Sequence, residues 1–225
     1  MTYLYLDIET IPAQTDEAKA IIAKGVKPPA QMKKADTIAA WEKDTKPSAV
    51  EEAIAKSSLD AAFGQICCIG LAVNDGPVSS ISWPLNADSE ALALKGFFET
   101  AGELVGSSFP TIVGHYIAGF DLRFIWQRCM ILGIRVPAWV PKDLKPWGDN
   151  IFDTMTAWAG PRDTISMDNL CQALGIPGKD GVDGSMVGQM FADGKHEDIA
   201  LYCRGDVERT RAAHRKMMVA FGEAA

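Results

Sequence analysis

The run Tyr3-Leu4-Tyr5-Leu6-Asp7-Ile8-Glu9 constrains this chain more than any other segment. Tyr3 to Ile8 is apolar and aromatic apart from one acid, the pattern of a buried strand, and Pro12 ends it. Asp7 and Glu9 are two residues apart, so on a strand both carboxylates leave the same face, about 7 Å apart along the chain. Side-by-side carboxylates repel and are tolerated mainly when a cation lies between them. Hard oxygen donors of this kind suit Mg²⁺ or Mn²⁺. The same spacing recurs at Asp88/Glu90 and Asp206/Glu208 on helical-looking segments. The weight of the 7/9 pair therefore comes from its strand and not from its spacing.

Further elements follow from periodicity and turn chemistry. Gln65 to Val73 and Val78 to Trp83 read as strands joined by a hairpin at Asn74-Asp75-Gly76-Pro77. Asp88 to Leu104 has helical periodicity, with Asp88 or Ser89 as its N-cap. Thr111 to Val113 opens a fourth strand, Phe120 to Leu132 is a helix ending near Gly133, and Ile151-Phe152 makes a short fifth strand. Ser166 to Leu174 is a helix closed by Gly175, a glycine-rich loop runs on to Gly188, and His196 to Phe221 is helical with a break near Gly205. Three strands, a helix, a strand, a helix, a strand and closing helices describe a mixed sheet flanked by helices, the pattern of a ribonuclease H-like α/β fold. Residues 13–63 differ in composition: alternating lysines, alanines and prolines read as a surface insertion, partly helical, in a single domain spanning 1–225, and its lysines as a solvated face.

Composition bounds the function. Hydrophobic residues at 48% and charged residues at 23% are a globular balance. No apolar run approaches the roughly 20 residues that span a bilayer, and the start MTYLYLDIET lacks the features of a signal peptide. Cys67, Cys68, Cys129, Cys171 and Cys203 are odd in number and never spaced C-x-x-C. They read as buried free thiols of a reducing compartment, hence the cytoplasm. The net charge of −7 excludes a protein that coats nucleic acid non-specifically. It leaves room for an enzyme that grips a strand end through bound cations.

Two more acidic elements follow the first. In Gly114-His115-Tyr116-Ile117-Ala118-Gly119-Phe120-Asp121 a strand leaves through a turn into a helix, placing Asp121 in its first turn; alone, it reads as an N-cap. In Tyr202-Cys203-Arg204-Gly205-Asp206 the tyrosine and the aspartate are i and i+4 on one helical face; alone, they read as a half-buried phenol and a surface acid. Phe152-Asp153 repeats the Phe-Asp pair without the glycine turn and ranks below Phe120-Asp121.

Taken in order, Asp7-Ile8-Glu9-Thr10, Phe120-Asp121 and Tyr202-x-x-x-Asp206 resemble the three motifs of the DEDD 3′–5′ exonuclease superfamily. Leu201 stands where the histidine branch would have its His, so the resemblance is to the tyrosine branch. The segments Gly178-Lys179-Asp180-Gly181-Val182-Asp183-Gly184 and Tyr202 to Thr210 resemble stand-alone exonucleases related to the proofreading domain of family B DNA polymerases. The resemblance covers nearly all of the chain outside residues 13–63. Family members carry Asn where this chain has Tyr116.

The resemblance implies hydrolysis of single-stranded DNA from its 3′ end by two ions, Mg²⁺ or Mn²⁺, about 3.5–4 Å apart. Asp7 would bridge the ions, Glu9 and Asp206 would complete the nucleophile-side ion, and Asp121 would hold the second. Tyr202 would orient the attacking water, a role that suits an ordinary phenol of pKa near 10. Thr10 and Ile11 would line the terminal nucleotide, with His115 or Tyr116 taking the place of the family Asn. Lys179 would meet a backbone phosphate, and Arg204 is the best placed of the last helix's basic residues to touch substrate, the others pointing mostly outward. The alternatives are an exoribonuclease resembling ribonuclease D, with RNA as substrate, and a catalytically impaired nucleic-acid-binding relative.

Overall fold

The computed structural model describes residues 1–178, 181 and 183–222; Lys179 lies outside them. The chain divides into two compact units, Met1–Glu9 with Ile66–Ala225, and Thr10–Gln65. The second unit contains the segment read as an insertion and is built on three helices, α1 (Asp16–Gly25), α2 (Ala35–Asp44) and α3 (Lys46–Lys56). Thr15 caps α1 by accepting from the Ala18 amide at 3.2 Å, Pro47 sits in the first turn of α3 where its missing N–H costs nothing, and Trp41 is buried.

The first unit is a mixed five-stranded sheet flanked by helices, as the ribonuclease H-like reading requires. Its strands are β1 (Tyr3–Ile11), β2 (Gln65–Val73), β3 (Ser79–Ser82), β4 (Thr111–Gly114) and β5 (Ile151–Asp153), in the order β3-β2-β1-β4-β5. β4 runs parallel to β1, with Tyr5 opposite Val113, and β5 runs parallel to β4, with Gly114 opposite Asp153. β2 and β3 form the antiparallel hairpin, Leu71 opposite Ser79. Asn74 turns it at φ +49° and its side-chain oxygen accepts from the Tyr3 amide at 2.9 Å.

The helices α4 (Glu90–Val105), α5 (Asp121–Leu132) and α7 (Met167–Leu174) follow the sequence reading, with Ser89 capping α4, Ser166 capping α7 and left-handed Gly133 and Gly175 ending α5 and α7. A short α6 (Thr154–Ala159) and α8 (Val187–Ala192) occupy segments to which the sequence reading assigned no helix; six residues are too few to display a helical period. The last helix, α9 (His196–Phe221), is continuous through Gly205. Its long buried face outweighs the roughly 1 kcal/mol that a mid-helix glycine costs.

α5 is anchored by a buried ion pair. Arg128 donates to both oxygens of Glu90 on α4, at 2.8 and 2.6 Å, and Glu90 also accepts from the Ile66 amide at 2.8 Å. Forked pairing of this kind satisfies both charges, which burial otherwise makes costly. α9 lies over the face of β1 that carries its odd-numbered residues: Val207 packs with Tyr5, Ala72 and Val113, and His214 with the rings of Tyr3 and Tyr5. Gly70 on β2 permits this approach. A Cβ there would come within 2.9 Å of both Cys203 Sγ and Val207 Cγ2. All five cysteines are buried free thiols, and among the described residues no helix is long and apolar enough to cross a membrane.

His214 is enclosed by the rings of Tyr3, Tyr5 and Phe152. Its Nδ1 is 3.0 Å from the Tyr5 hydroxyl, and its Nε2 has no hydrogen-bond partner among the described residues. Burial, aided by the charge of Arg215, lowers its pKa from 6.5 to about 4. Between those values acid protonates the unfolded imidazole and not the folded one. Unfolding free energy, followed by urea titration, is thus expected to be unaffected by His214 above about pH 6.5 and to drop by about 1–3 kcal/mol on acidification toward pH 4. His214→Phe is expected to flatten that slope.

Candidate active site

The parallel strands β1, β4 and β5 end on one side of the sheet, and in such sheets the crevice beyond the carboxyl ends is where ligands bind. β1 brings Asp7 and Glu9 to this edge, the turn after β4 brings residues 115–120, and β5 ends at Asp153. α9 adds Tyr202, Cys203 and Asp206 from the far end of the chain. Cys203 Sγ lies 3.5 Å from Asp7 Oδ2 and 3.6 Å from the Asp7 carbonyl oxygen. The donor atoms of Asp7, Glu9 and Cys203 all lie within 4.8 Å of one another.

Asp121 does not cap α5. The N-cap position is Phe120, which makes no side-chain cap, and the Asp121 carboxylate accepts from the Ile8 amide at 3.0 Å. The second motif is thereby tied to the strand residue between Asp7 and Glu9. Burial pushes the Asp121 pKa up to about 8, and the negative charges of Asp153 and Asp206 add to the rise against the lowering effect of its backbone hydrogen bonds. Asp206 is buried and accepts from Arg209 Nη1 at 2.9 Å, an ion pair one turn along α9. Tyr202 is buried at the edge of a cleft of about 480 Å³ that Met186, Met190 and Arg209 also line.

The donor set fits hard divalent cations. Burial is the main cause of the raised Asp121 pKa and the charges of Asp153 and Asp206 add to it, and a cation beside these carboxylates would relieve both costs. Cys203 Sγ stands among these donors. Burial first, then its hydrogen bond with Cys68 and the charges of Cys68, Asp7 and Glu9, hold its pKa well above the usual thiol value. In this arrangement the thiol donates toward Asp7.

Other residues expected at the substrate have different duties. His115 uses both ring nitrogens inside the fold, Nδ1 with Thr154 Oγ1 at 3.0 Å and Nε2 with the Ile165 carbonyl at 2.9 Å. Arg204 donates to Ser80 Oγ at 2.8 Å. Arg211 is buried rather than outward-facing, donating to Glu208 and to the Gly76 carbonyl. Thr10 and Ile11 end β1, both are buried, and they belong to the other compact unit. Tyr116 remains half-exposed, at φ +60°.

Asp153, of the second Phe-Asp pair, organises this turn. It is buried, and its carboxylate accepts from the amides of Tyr116 at 3.1 Å, Ala118 at 3.4 Å, Met155 at 3.1 Å and Thr156 at 3.2 Å. It caps α6 and holds the turn that carries Tyr116 into α5. The sequence marks Asp153 only as the weaker Phe-Asp pair; its hold on the turn is not legible there, because Ala118 and Tyr116 lie 35 and 37 positions away.

Comparison with known proteins places the chain. The model of a family described as predicted 3′–5′ exonucleases related to the exonuclease domain of PolB matches residues 59–224. The chain belongs to this family. It is therefore a DEDD-type exonuclease domain related to the family B proofreading domain, as the ordered motifs imply. Among solved structures it is similar to the family B DNA polymerase from the hyperthermophilic archaeon Pyrobaculum calidifontis, with a TM-score of 0.59 at 15% identity. That match covers 98% of this chain and 25% of the polymerase chain, so the likeness is one of fold and this chain spans about a quarter of the polymerase's length. No curated protein matches this chain.

The role of Asp153 gives a direct test by urea denaturation. Asp153→Ala is expected to lower stability by about 2–4 kcal/mol, since it strands buried N–H groups and removes a helix cap. Asp153→Asn retains an oxygen for the three amides bound to Oδ1 and is expected to cost less than half as much.

Proposed function

We propose that the chain is a metal-dependent 3′–5′ exonuclease of the tyrosine type that removes nucleotides from the 3′ end of single-stranded DNA. The observation that carries this reading is the convergence of three separated motifs on one strand. Asp121 bonds to the Ile8 amide, and Cys203, between Tyr202 and Asp206, touches Asp7.

Asp7, Glu9, Asp121 and Asp206 would hold two Mg²⁺ or Mn²⁺ ions. When bound, these supply the positive charge that a phosphodiester and its attacking water require. The chain's own groups do the positioning. The Ile8 amide fixes Asp121, the Cys203 thiol fixes Asp7, and Arg209 steadies Asp206. Tyr202, one turn before Asp206 on α9, orients the water. Tyr116 rather than His115 meets the terminal nucleotide, because the His115 nitrogens are engaged within the fold. The choice of DNA follows the likeness to the family B proofreading domain, and a reducing compartment such as the cytoplasm accords with five buried thiols.

A second reading, a nucleic-acid-binding relative with impaired catalysis, draws on two observations. A thiol, not a further acid, completes the cluster with Asp7 and Glu9, and Arg209 already neutralises Asp206.

Digestion of 5′-labelled single-stranded DNA and RNA with Mg²⁺ or Mn²⁺ separates these readings. Stepwise shortening of DNA from its 3′ end is expected. Asp7→Ala is expected to slow it by on the order of 10²-fold or more, the scale on which one transition-state electrostatic contact is lost. Preference for RNA would move the substrate to the ribonuclease D type. Binding with no cleavage of either polymer under either metal would overturn the enzyme reading in favour of the impaired relative.

A further inference from the structure

Tyr116 is the most conspicuous backbone irregularity in the first unit. A bulky residue at φ +60° costs roughly 1–2 kcal/mol, and it is held there by the bond from its amide to Asp153. Its ring rests against Gly119, where a Cβ would come within 2.3 Å of it. The ring is nevertheless 49% exposed, so this arrangement does not serve the core. It presents an aromatic face to solvent five residues before Asp121.

What lies beside that face is a groove. A cleft of about 280 Å³, lined by Tyr116, Arg162, Arg123 and Leu144, adjoins one of about 550 Å³ lined by Arg123, Leu144, Trp126 and Lys142. The two share Arg123 and Leu144 in their linings and lie side by side along the exposed side of α5, the first of them next to the second motif. Arg123, Arg162 and Lys142 form no ion pair among the described residues. Asp163 also lines the inner cleft, while the charge of Asp153 there is taken up by backbone amides. In a chain of net charge −7, three cations without an ion-pair partner among the described residues, with an aromatic ring beside them, match what a single strand requires. Phosphates need cations, and any base can stack on an exposed ring.

We propose that this groove is the path along which the single strand runs up to its terminal nucleotide, with backbone phosphates on Arg162, Arg123 and Lys142 and the terminal base stacked on Tyr116. The strand's destination rests on the exonuclease reading; the groove's affinity for it does not. Charge and stacking in this arrangement are indifferent to base identity, so binding is independent of sequence.

The test is fluorescence anisotropy of a labelled oligothymidylate with the full chain in the presence of a chelator, so that binding is read without hydrolysis. The parent is expected to bind with a salt-dependent Kd. In Arg123→Gln/Arg162→Gln the slope of log Kd against log salt concentration is expected to shrink by about 1.4, from about 0.7 per phosphate contact. Arg123→Lys/Arg162→Lys is expected to restore it. Tyr116→Ala is expected to weaken binding by roughly 5- to 100-fold, the scale of one base–aromatic stack, with the slope unchanged. A salt slope or an affinity that these variants leave at the parental value overturns the path, as does a parent that binds no oligonucleotide. Cleavage by the parent with binding unmoved in the variants discards the groove and keeps the nuclease. Binding lost in the variants of a parent that cleaves nothing discards the nuclease and keeps the groove.

Discussion

The acidic centre depends on how closely α9 can lie on the sheet. Asp7 and Asp206 are 199 positions apart in sequence by their numbers, and no local preference brings them together. Contact requires a strand with no side chain in the way, and Gly70 provides it: any Cβ there would strike Cys203 and Val207. With that space open, Cys203 reaches Asp7, Val207 fills the cluster around Tyr5, and His214 sits between the rings of Tyr3 and Phe152. One face of one helix then sets core packing at one end and site geometry at the other. A substitution along this seam is felt in both.

A second constraint fixes the other half of the site. Asp121 can reach the Ile8 amide only if α5 starts at the right place, and two buried acids see to this from opposite ends. Glu90 holds the body of α5 through Arg128, and Asp153 holds the turn ahead of it through the Tyr116 and Ala118 amides. Both acids are satisfied by several donors, which is the condition under which buried charge is tolerated. Asp121 differs: its pKa is raised chiefly by burial, with the charges of Asp153 and Asp206 adding to the rise. The four amides on the Asp153 carboxylate assign Asp153 to the scaffold even though it shares the Phe-Asp signature with Asp121.

Most of the element order is legible in the sequence because strands and long helices carry hydrophobic periods and capping residues. Ser89, Gly133, Ser166 and Gly175 mark helix ends where they are found. α6 and α8 escape because six residues carry no period, and the Gly205 break does not occur because burial of α9 overrides one glycine. Among site residues, the short-range pattern singles out the motif acids and Tyr202 as candidates. It does not identify which neighbours are committed elsewhere. His115, Arg204 and Arg211 have the chemistry of substrate contacts, yet their hydrogen bonds run to Ile165, Ser80 and Gly76, partners far away in sequence.

The sequence by itself determines the strand that carries Asp7 and Glu9, the order of the motifs that follow, the α/β class and the family. Each of these is written in local spacing and hydrophobic period, which the chain displays before it folds. Tertiary structure alone decides that Asp121 serves β1 and not its own helix, that Asp153 is scaffold, that Cys203 joins Asp7 and Glu9 in one cluster, and that Tyr116 stands strained and exposed beside a cationic groove. These depend on which side chains meet across the sheet and on how much water is left between them, and neither quantity is encoded in neighbouring residues.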